Sequence, residues 1–207
     1  MSGPRVVVVH TGTANLASVL AGIRRAGADP VVTSTRAEVE DAEHLILPGV
    51  GAFGAAMQRL RDAALVQPLV ERVSAGRPTL AICLGLQLLC ESSAESPDVA
   101  GLGVVPLRVT RLRDTVRVPQ LGWNHVDPDP ASKFLKPGHA YFANSYCLEE
   151  LPAGWAGAWS EHGGPFIAAL ERDSVLACQF HPELSGDWGL ALLRRWLQCI
   201  ANGAATC

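Results

Sequence analysis

Cys83 is the residue whose setting most clearly points to chemistry. It follows Pro78-Thr79-Leu80-Ala81-Ile82, which reads as a buried strand, and precedes Leu84-Gly85 and a helical pattern over Leu86 to Glu91. A cysteine at such a junction meets unpaired backbone N–H groups and the positive end of a helix, and both favour a thiolate. Gly85 lets a neighbouring backbone or a substrate approach closely, so the segment has the form of a nucleophile elbow with sulfur in place of oxygen. Taken alone, the same pattern describes a buried core thiol.

A thiol nucleophile needs a base and a group to orient that base. His181-Pro182-Glu183 supplies both, directly after the strand-like run Val175 to Phe180. Pro182 disfavours a helical His181, and alternate positions of an extended segment project to one side, which sets Glu183 beside the imidazole. A His-Pro turn with a surface glutamate is the alternative for this triplet alone. The third motif, Pro48-Gly49-Val50-Gly51, also follows a strand. Its two glycines permit backbone angles that turn N–H groups of Val50 and Gly51 toward a developing oxyanion.

Gly49-x-Gly51-x-x-Gly54 also matches a dinucleotide phosphate loop, with Glu71 at a plausible distance downstream for a ribose. That reading fails on position. The fingerprint belongs after the first strand of its unit, with the acid at the end of the second. Here the first strand is followed by Gly12-Thr13-Ala14-Asn15, and Glu71 falls in a helical stretch.

The elements that must carry these motifs alternate over the first half. Strand patterns at Arg5–His10, Pro30–Thr35, His44–Leu47 and Pro78–Ile82 are separated by helical ones at Leu16–Arg25, Ala55–Arg61 and Ala64–Ala75. Asn15 is a plausible N-cap, and Gly27 and Gly76 are stop signals. The continuous valine run Val6 to Val9 suits a parallel sheet covered on both faces, and the alternation predicts right-handed βαβ units. The second half predicts short strands over Val104–Leu112, Val116–Val118, His139–Cys147, Phe166–Leu170 and Val175–Phe180, added antiparallel to that sheet, and a closing helix near Asp187 to Ile200. Trp155, Trp159, Trp188 and Trp196 are expected to pack in the fold.

The 207 residues, with no repeats and no low-complexity linker, predict one domain spanning 1–207. A hydrophobic fraction of 48% with 18% charged residues fits a globular chain, and a net charge of -3 leaves no basic footprint for nucleic acid. No apolar run is long enough to span a membrane, and no signal-like segment opens the chain, so a cytoplasmic location is expected. The six cysteines at 83, 90, 147, 178, 199 and 207 form no CxxC pair and no zinc-ligand spacing, so no metal and no cofactor are expected.

The three motifs, with Ile82-Cys83-Leu84-Gly85-Leu86-Gln87, Leu121-Gly122-Trp123-Asn124 and Phe180-His181-Pro182-Glu183 in this order, resemble the class I glutamine amidotransferases over nearly the whole chain. Leu86, where many relatives carry His, and the Val118–Asn124 run are most similar to the glutaminase subunits that serve histidine biosynthesis. The resemblance implies a flavodoxin-like three-layer sandwich with a mostly parallel central sheet and added antiparallel strands. It implies Cys83 as nucleophile, His181 as general base and acid, and Glu183 as its orienter. Leu84, Val50 and Gly51 would form the oxyanion hole, and Gly49, Gln87, Ser145 and Tyr146 would hold glutamine.

By the same resemblance the partner is the (β/α)8 cyclase subunit of imidazole glycerol phosphate synthase, in a heterodimer. That subunit uses the ammonia to cleave a phosphoribulosyl formimino aminoimidazole carboxamide nucleotide into imidazole glycerol phosphate and the carboxamide ribotide. His10, Thr11, Ala14, Asn144 and Leu184 depart from the family's usual residues, and their segments are expected to face the partner; Ala81 also departs. Two other readings compete: a glutaminase feeding a different synthase, although no Gly-Gly-Glu-Ser motif is present, and a non-catalytic redox or binding member of the same superfamily using Cys83. The pairing of His181 with Glu183 argues against the second.

Overall fold

The computed structural model describes residues 3–12 and 16–201. Asn15 and Ala14 lie outside the described residues, so the expected cap falls there too. In chain order the elements are β1 (Arg5–Val9), α1 (Leu16–Ala26), β2 (Asp29–Thr33), α2 (Arg36–Asp41), β3 (His44–Gly49), α3 (Phe53–Asp62), α4 (Val66–Ser74), β4 (Thr79–Cys83) and α5 (Leu84–Leu88). There follow β5 (Cys90–Ser93), β6 (Val105–Arg111), β7 (Gln120–Pro128), β8 (Gly138–Asn144), β9 (Tyr146–Cys147), β10 (Ala156–Glu161), β11 (Pro165–Arg172), β12 (Val175–Cys178) and α6 (Gly186–Ala201).

Among the described residues, nine strands form one sheet in the order β2-β1-β3-β4-β12-β11-β10-β7-β8. The first five are parallel and the remaining four extend the sheet antiparallel, as expected. The valines of β1 explain its place. Flanked by β2 and β3, it sends Val7 and Val9 into a core with Phe53, Met57 and Leu69, and Val6 and Val8 into a second core with Val19, Ile23 and Trp196. A strand buried on both faces has no polar side to alternate. Each fully buried valine or leucine contributes about 1.5–3 kcal/mol relative to exposure. Helices α3 and α4 thus cover one face and α1 and α6 the other, giving the three layers.

Several expectations need correction. Val116–Val118 is not a strand: it lies in the turn-rich link before β7, where Val118 packs against the core from a segment with no strand partner. The helix after Cys83 starts at Leu84 and ends at Leu88, and Cys90–Ser93 is already strand β5. The run His139–Cys147 breaks at Ser145 into β8 and β9, which belong to different sheets, because β9 pairs with β6 in a separate three-stranded sheet. Not every added strand therefore joins the main sheet. Helix α2 and strands β7 and β10 were not predicted as elements. Strands β7 and β10 carry Gly, Asn, Asp and Pro, which propensity counts against a strand.

The end of the sheet opposite the motifs is tied by Arg72 on α4. Its buried guanidinium donates to Thr79 Oγ1 at 3.2 Å and to the carbonyls of Ala42 at 2.7 Å and Pro78 at 2.8 Å. Burial lowers its pKa to about 10, so it stays charged at neutral pH. Its planar, five-donor group adds a second donor to the Ala42 and Pro78 carbonyls, which also accept from Arg77 and from Leu45 N–H, respectively. This anchors the start of β4, the strand that ends in Cys83.

Candidate active site

The three motifs follow the carboxyl ends of β3, β4 and β12, three adjacent parallel strands, where open α/β sheets bind ligands. Gly49 pairs with Cys83 across β3 and β4. That pairing works only because both neighbouring glycines lack side chains. A Cβ on Gly49 would meet Leu84 Cβ at 2.7 Å, and one on Gly85 would meet the Leu47 carbonyl oxygen at 2.0 Å. Gly85 therefore serves the approach of a backbone, that of β3. Gly51 stands at φ +96°, in the left-handed region where glycine is at home.

Cys83 itself has φ +54° and ψ -109°, a conformation that costs a non-glycine residue about 1–3 kcal/mol. The surrounding packing holds it there, with the residue 6% exposed. The helix behind it has five residues, too short for a full macrodipole, so a thiolate must draw on side-chain partners as well. His181 is one. Its Nδ1 lies 2.8 Å from Glu183 Oε1, which leaves Nε2 for the sulfur. Burial alone would lower the His181 pKa, but the Cys83 side chain and the Glu183 carboxylate outweigh it and raise the value well above that of a free imidazole. The imidazolium is thus the resting form at neutral pH, poised to give up a proton.

The His-Pro-Glu geometry differs from the extended segment expected. Only His181 is extended, at φ -102° and ψ 96°, and Pro182–Leu184 form a 3₁₀ turn with Pro182 at its start. Leu184 N–H donates to the His181 carbonyl at 3.1 Å. The carboxylate reaches the ring by this turn, since proline's fixed φ starts a tight helix as readily as it continues a strand. The His181 backbone is fixed from both sides: its N–H donates to the Tyr141 carbonyl at 2.9 Å, and buried Ser185 Oγ donates to its carbonyl at 2.6 Å. Gly22 on α1 makes room for Glu183, because a Cβ there would lie 2.8 Å from the Glu183 Cβ.

Two cavities flank this centre. One, of about 290 Å³, is lined by Cys83, Leu84, Val50, Gly51 and Gln87, and by Asn144, Ser145 and Tyr146. The other, of about 170 Å³, lies behind His181 and Glu183 and has apolar walls of Val19, Val50, Ile82 and Leu184. All the sequence-predicted residues except Gly49 and Glu183 line the first cavity, and those two line the second. The Ser145 carbonyl already accepts Leu112 N–H, and the Tyr146 carbonyl accepts Gln87 and Asn144 Nδ2.

Two of the residues that depart from the family's usual ones, Asn144 and Thr11, have their own side chains buried. Asn144 is 4% exposed and lines the larger cavity, and Thr11 is buried with its hydroxyl on the Pro48 carbonyl. The sequence reading also missed Glu95 and Gln179. Glu95 lines the larger cavity, with one carboxylate oxygen accepting Phe53 N–H at 2.7 Å. An acid was foreseeable there, since an amino-acid substrate brings an ammonium group, but the Ser92–Ser96 stretch carries no motif. Cys90, Cys147 and Cys178 are buried thiols: burial pushes Cys147 up to about 11 and Cys90 and Cys178 upward as well.

Replacing Glu183 with Gln tests the electrostatics. A raised imidazole pKa keeps the proton until the pH climbs through the raised value, so removing one cause of the rise brings that point down. The alkaline limb of kcat/KM is expected to move to lower pH in Glu183→Gln. A pH–rate profile that superimposes on the wild type would show that Glu183 does not act on His181.

Comparison with known proteins adds independent observations. Residues 7–198 match the family model described as glutamine amidotransferase class-I. The chain is 39% identical over 206 residues to the imidazole glycerol phosphate synthase subunit HisH of Symbiobacterium thermophilum, covering 98% of this chain and 97% of the relative. It is 40% identical to the HisH subunit of Mycolicibacterium paratuberculosis, with coverage of 96% and 99%, and 41% identical to that of Synechococcus elongatus, with 97% and 95%. A crystal structure of a glutamine amidotransferase superimposes with a TM-score of 0.76 at 21% identity, over 94% of this chain and 98% of that one, a likeness of fold.

Proposed function

The chain belongs to the class I glutamine amidotransferases, and we propose that it works as the glutaminase subunit of an imidazole glycerol phosphate synthase, with Cys83, His181 and Glu183 as its catalytic triad. The observation that carries the assignment of roles is the ordered contact of Glu183 on His181 Nδ1 at 2.8 Å beside a cysteine held at φ +54°. A redox or binding cysteine needs neither an oriented imidazole nor a strained elbow.

The steps follow from the geometry. The Cys83 thiolate attacks the side-chain amide carbon of glutamine in the larger cavity, and the amide oxygen becomes an oxyanion facing the N–H groups of Leu84 and the Val50–Gly51 segment. As the intermediate collapses, the carbon–nitrogen bond breaks and His181 protonates the departing nitrogen, leaving a glutamyl thioester and ammonia. His181, now neutral, takes a proton from water as it attacks the thioester, which releases glutamate and restores the thiolate. Glu95 and Gln87 are placed to accept the substrate's α-ammonium, and N–H groups near Ser145 and Tyr146 to meet its carboxylate.

Delivery of ammonia requires a partner and a dry route. The smaller cavity, on the far side of His181 with apolar walls, offers one, because ammonia protonated by water is no longer a nucleophile. The rim nearby exposes Leu121 (62%), Trp123 (59%) and Leu184 (40%). Trp123 stands edge-on to Tyr141, whose carbonyl holds the His181 backbone. Exposed large apolar groups one strand from the catalytic base are suited to docking the cyclase subunit. Among the described residues no helix is long and apolar enough to cross a membrane.

The test is glutamate formation from glutamine, measured for the protein alone and then with the cyclase subunit carrying its nucleotide ligand. The rate is expected to rise sharply with the loaded partner. Hydrolysis indifferent to that partner would keep the triad and assign it to a different synthase, and no hydrolysis in either condition would reinstate the non-catalytic reading.

A further inference from the structure

The amide of Gln179 lies between the nucleophile and the glutamine-binding wall, and none of the steps above uses it. Its side chain is fully buried, just past the end of β12, with its backbone N–H on the Ala168 carbonyl at 2.8 Å. Gln179 Nε2 lies 3.7 Å from Cys83 Sγ, within reach of an N–H···S hydrogen bond, and its Oε1 accepts from Gln87 Nε2 at 3.0 Å. Gln87 Nε2 also donates to the Tyr146 carbonyl at 3.2 Å.

This chain of contacts can be oriented in only one way. A backbone carbonyl only accepts, so the Gln87 nitrogen must face Tyr146. Its second hydrogen then points at Gln179, which fixes the Gln179 oxygen toward Gln87 and its NH₂ group toward the sulfur. Both Gln87 hydrogens are thereby spent, and Gln87 is left to present its Oε1 to the cavity. An acceptor there suits the ammonium of a free amino acid and disfavours its carboxylate.

We propose that Gln179 is a positioning residue that couples the two halves of the site: it holds the Cys83 sulfur by an N–H donor and fixes the Gln87 amide with its oxygen outward. The inference rests on the glutaminase reading of the Cys83 site. A hydrogen bond donated to a thiolate favours the charged form and one sulfur rotamer, whereas the contact to Gln87 acts on substrate binding alone. The two contacts use opposite ends of one amide, so they can be separated by substitution.

In Gln179→Glu the side chain keeps its length and an acceptor for Gln87 but sets a carboxyl oxygen in place of the N–H at the sulfur. Its KM for glutamine is expected to stay within about twofold of wild type while kcat falls about 10-fold or more. In Gln179→Leu both contacts go, and KM is expected to rise about 10-fold as well. Independently of turnover, alkylation of the Cys83 peptide by iodoacetamide, followed by mass spectrometry against pH on the full chain, should shift its acid limb upward by about one pH unit in both variants.

An alkylation profile identical to wild type in both variants overturns the contact to sulfur, and an unchanged KM in Gln179→Leu overturns the contact to Gln87. Failure of the wild type to hydrolyse glutamine would instead overturn the reading of the site itself. The three results are therefore distinguishable, because the alkylation profile needs no glutamine.

Discussion

Cys83→Ala abolishes glutamine hydrolysis, lowering the rate by more than about 10⁴-fold, and leaves the thermal midpoint nearly unchanged. The loss is large because nucleophile, base and orienter act as a unit: without sulfur there is no thioester, and the aligned His181 and Glu183 have nothing to activate. The stability change is small because the site gains little from the thiol itself. The sulfur's contacts are long, 3.9 Å to the Ala143 carbonyl and 3.7 Å to Gln179, and alanine bears the same penalty at φ +54°. Stopped-time glutamate assays and a thermal melt on the purified variant check both parts. Retained hydrolysis would remove Cys83 from the mechanism, and collapse of the fold would make its role structural.

Gly85→Ala is expected to damage fold and catalysis together. The added Cβ would stand 2.0 Å from the Leu47 carbonyl oxygen, an atom of the β3 backbone that cannot rotate away. Either α5 or the end of β3 must shift by about an ångström, and overpacking of this kind costs about 2–3 kcal/mol. For a chain of this size that lowers Tm by roughly 5–10 °C. The same displacement separates the Leu84 N–H from the Val50–Gly51 segment. Donors in an oxyanion hole lose their effect when moved by that amount, so kcat should fall about 100-fold or more even below the new Tm. Normal kcat in a folded Gly85→Ala protein would show that β3 and α5 approach less closely than this geometry requires.

The parallel half of the fold was legible in the sequence because its strands announce themselves. Val6 to Val9, His44 to Leu47 and Thr79 to Ile82 are short apolar runs ended by Gly, Pro or a loop, and the helices between them carry a periodic apolar face. The antiparallel half was not. Strand β7 reads Gln120-Leu121-Gly122-Trp123-Asn124, where half the residues are poor strand formers, yet it pairs along its length with β8. Its pairing comes from tertiary context, since β10 and β8 flank it on both sides and override propensity.

The candidate site divides along the same line. Nucleophile, base and orienter were readable from Cys83 and His181-Pro182-Glu183 because each chemistry demands a residue type, and local backbone rules bring His181 and Glu183 together. What lies around them was not readable. Glu95 and Asn144 line the Cys83 cavity from two segments, and buried Gln179 meets a cysteine 96 positions earlier in the chain. No periodicity encodes such a meeting. Sequence alone determined which atoms can react, since reactivity belongs to the residue and its immediate neighbours. The order of β3, β4 and β12 in the sheet decided which of those atoms face one another, because register between distant strands is set by the packing of the whole core.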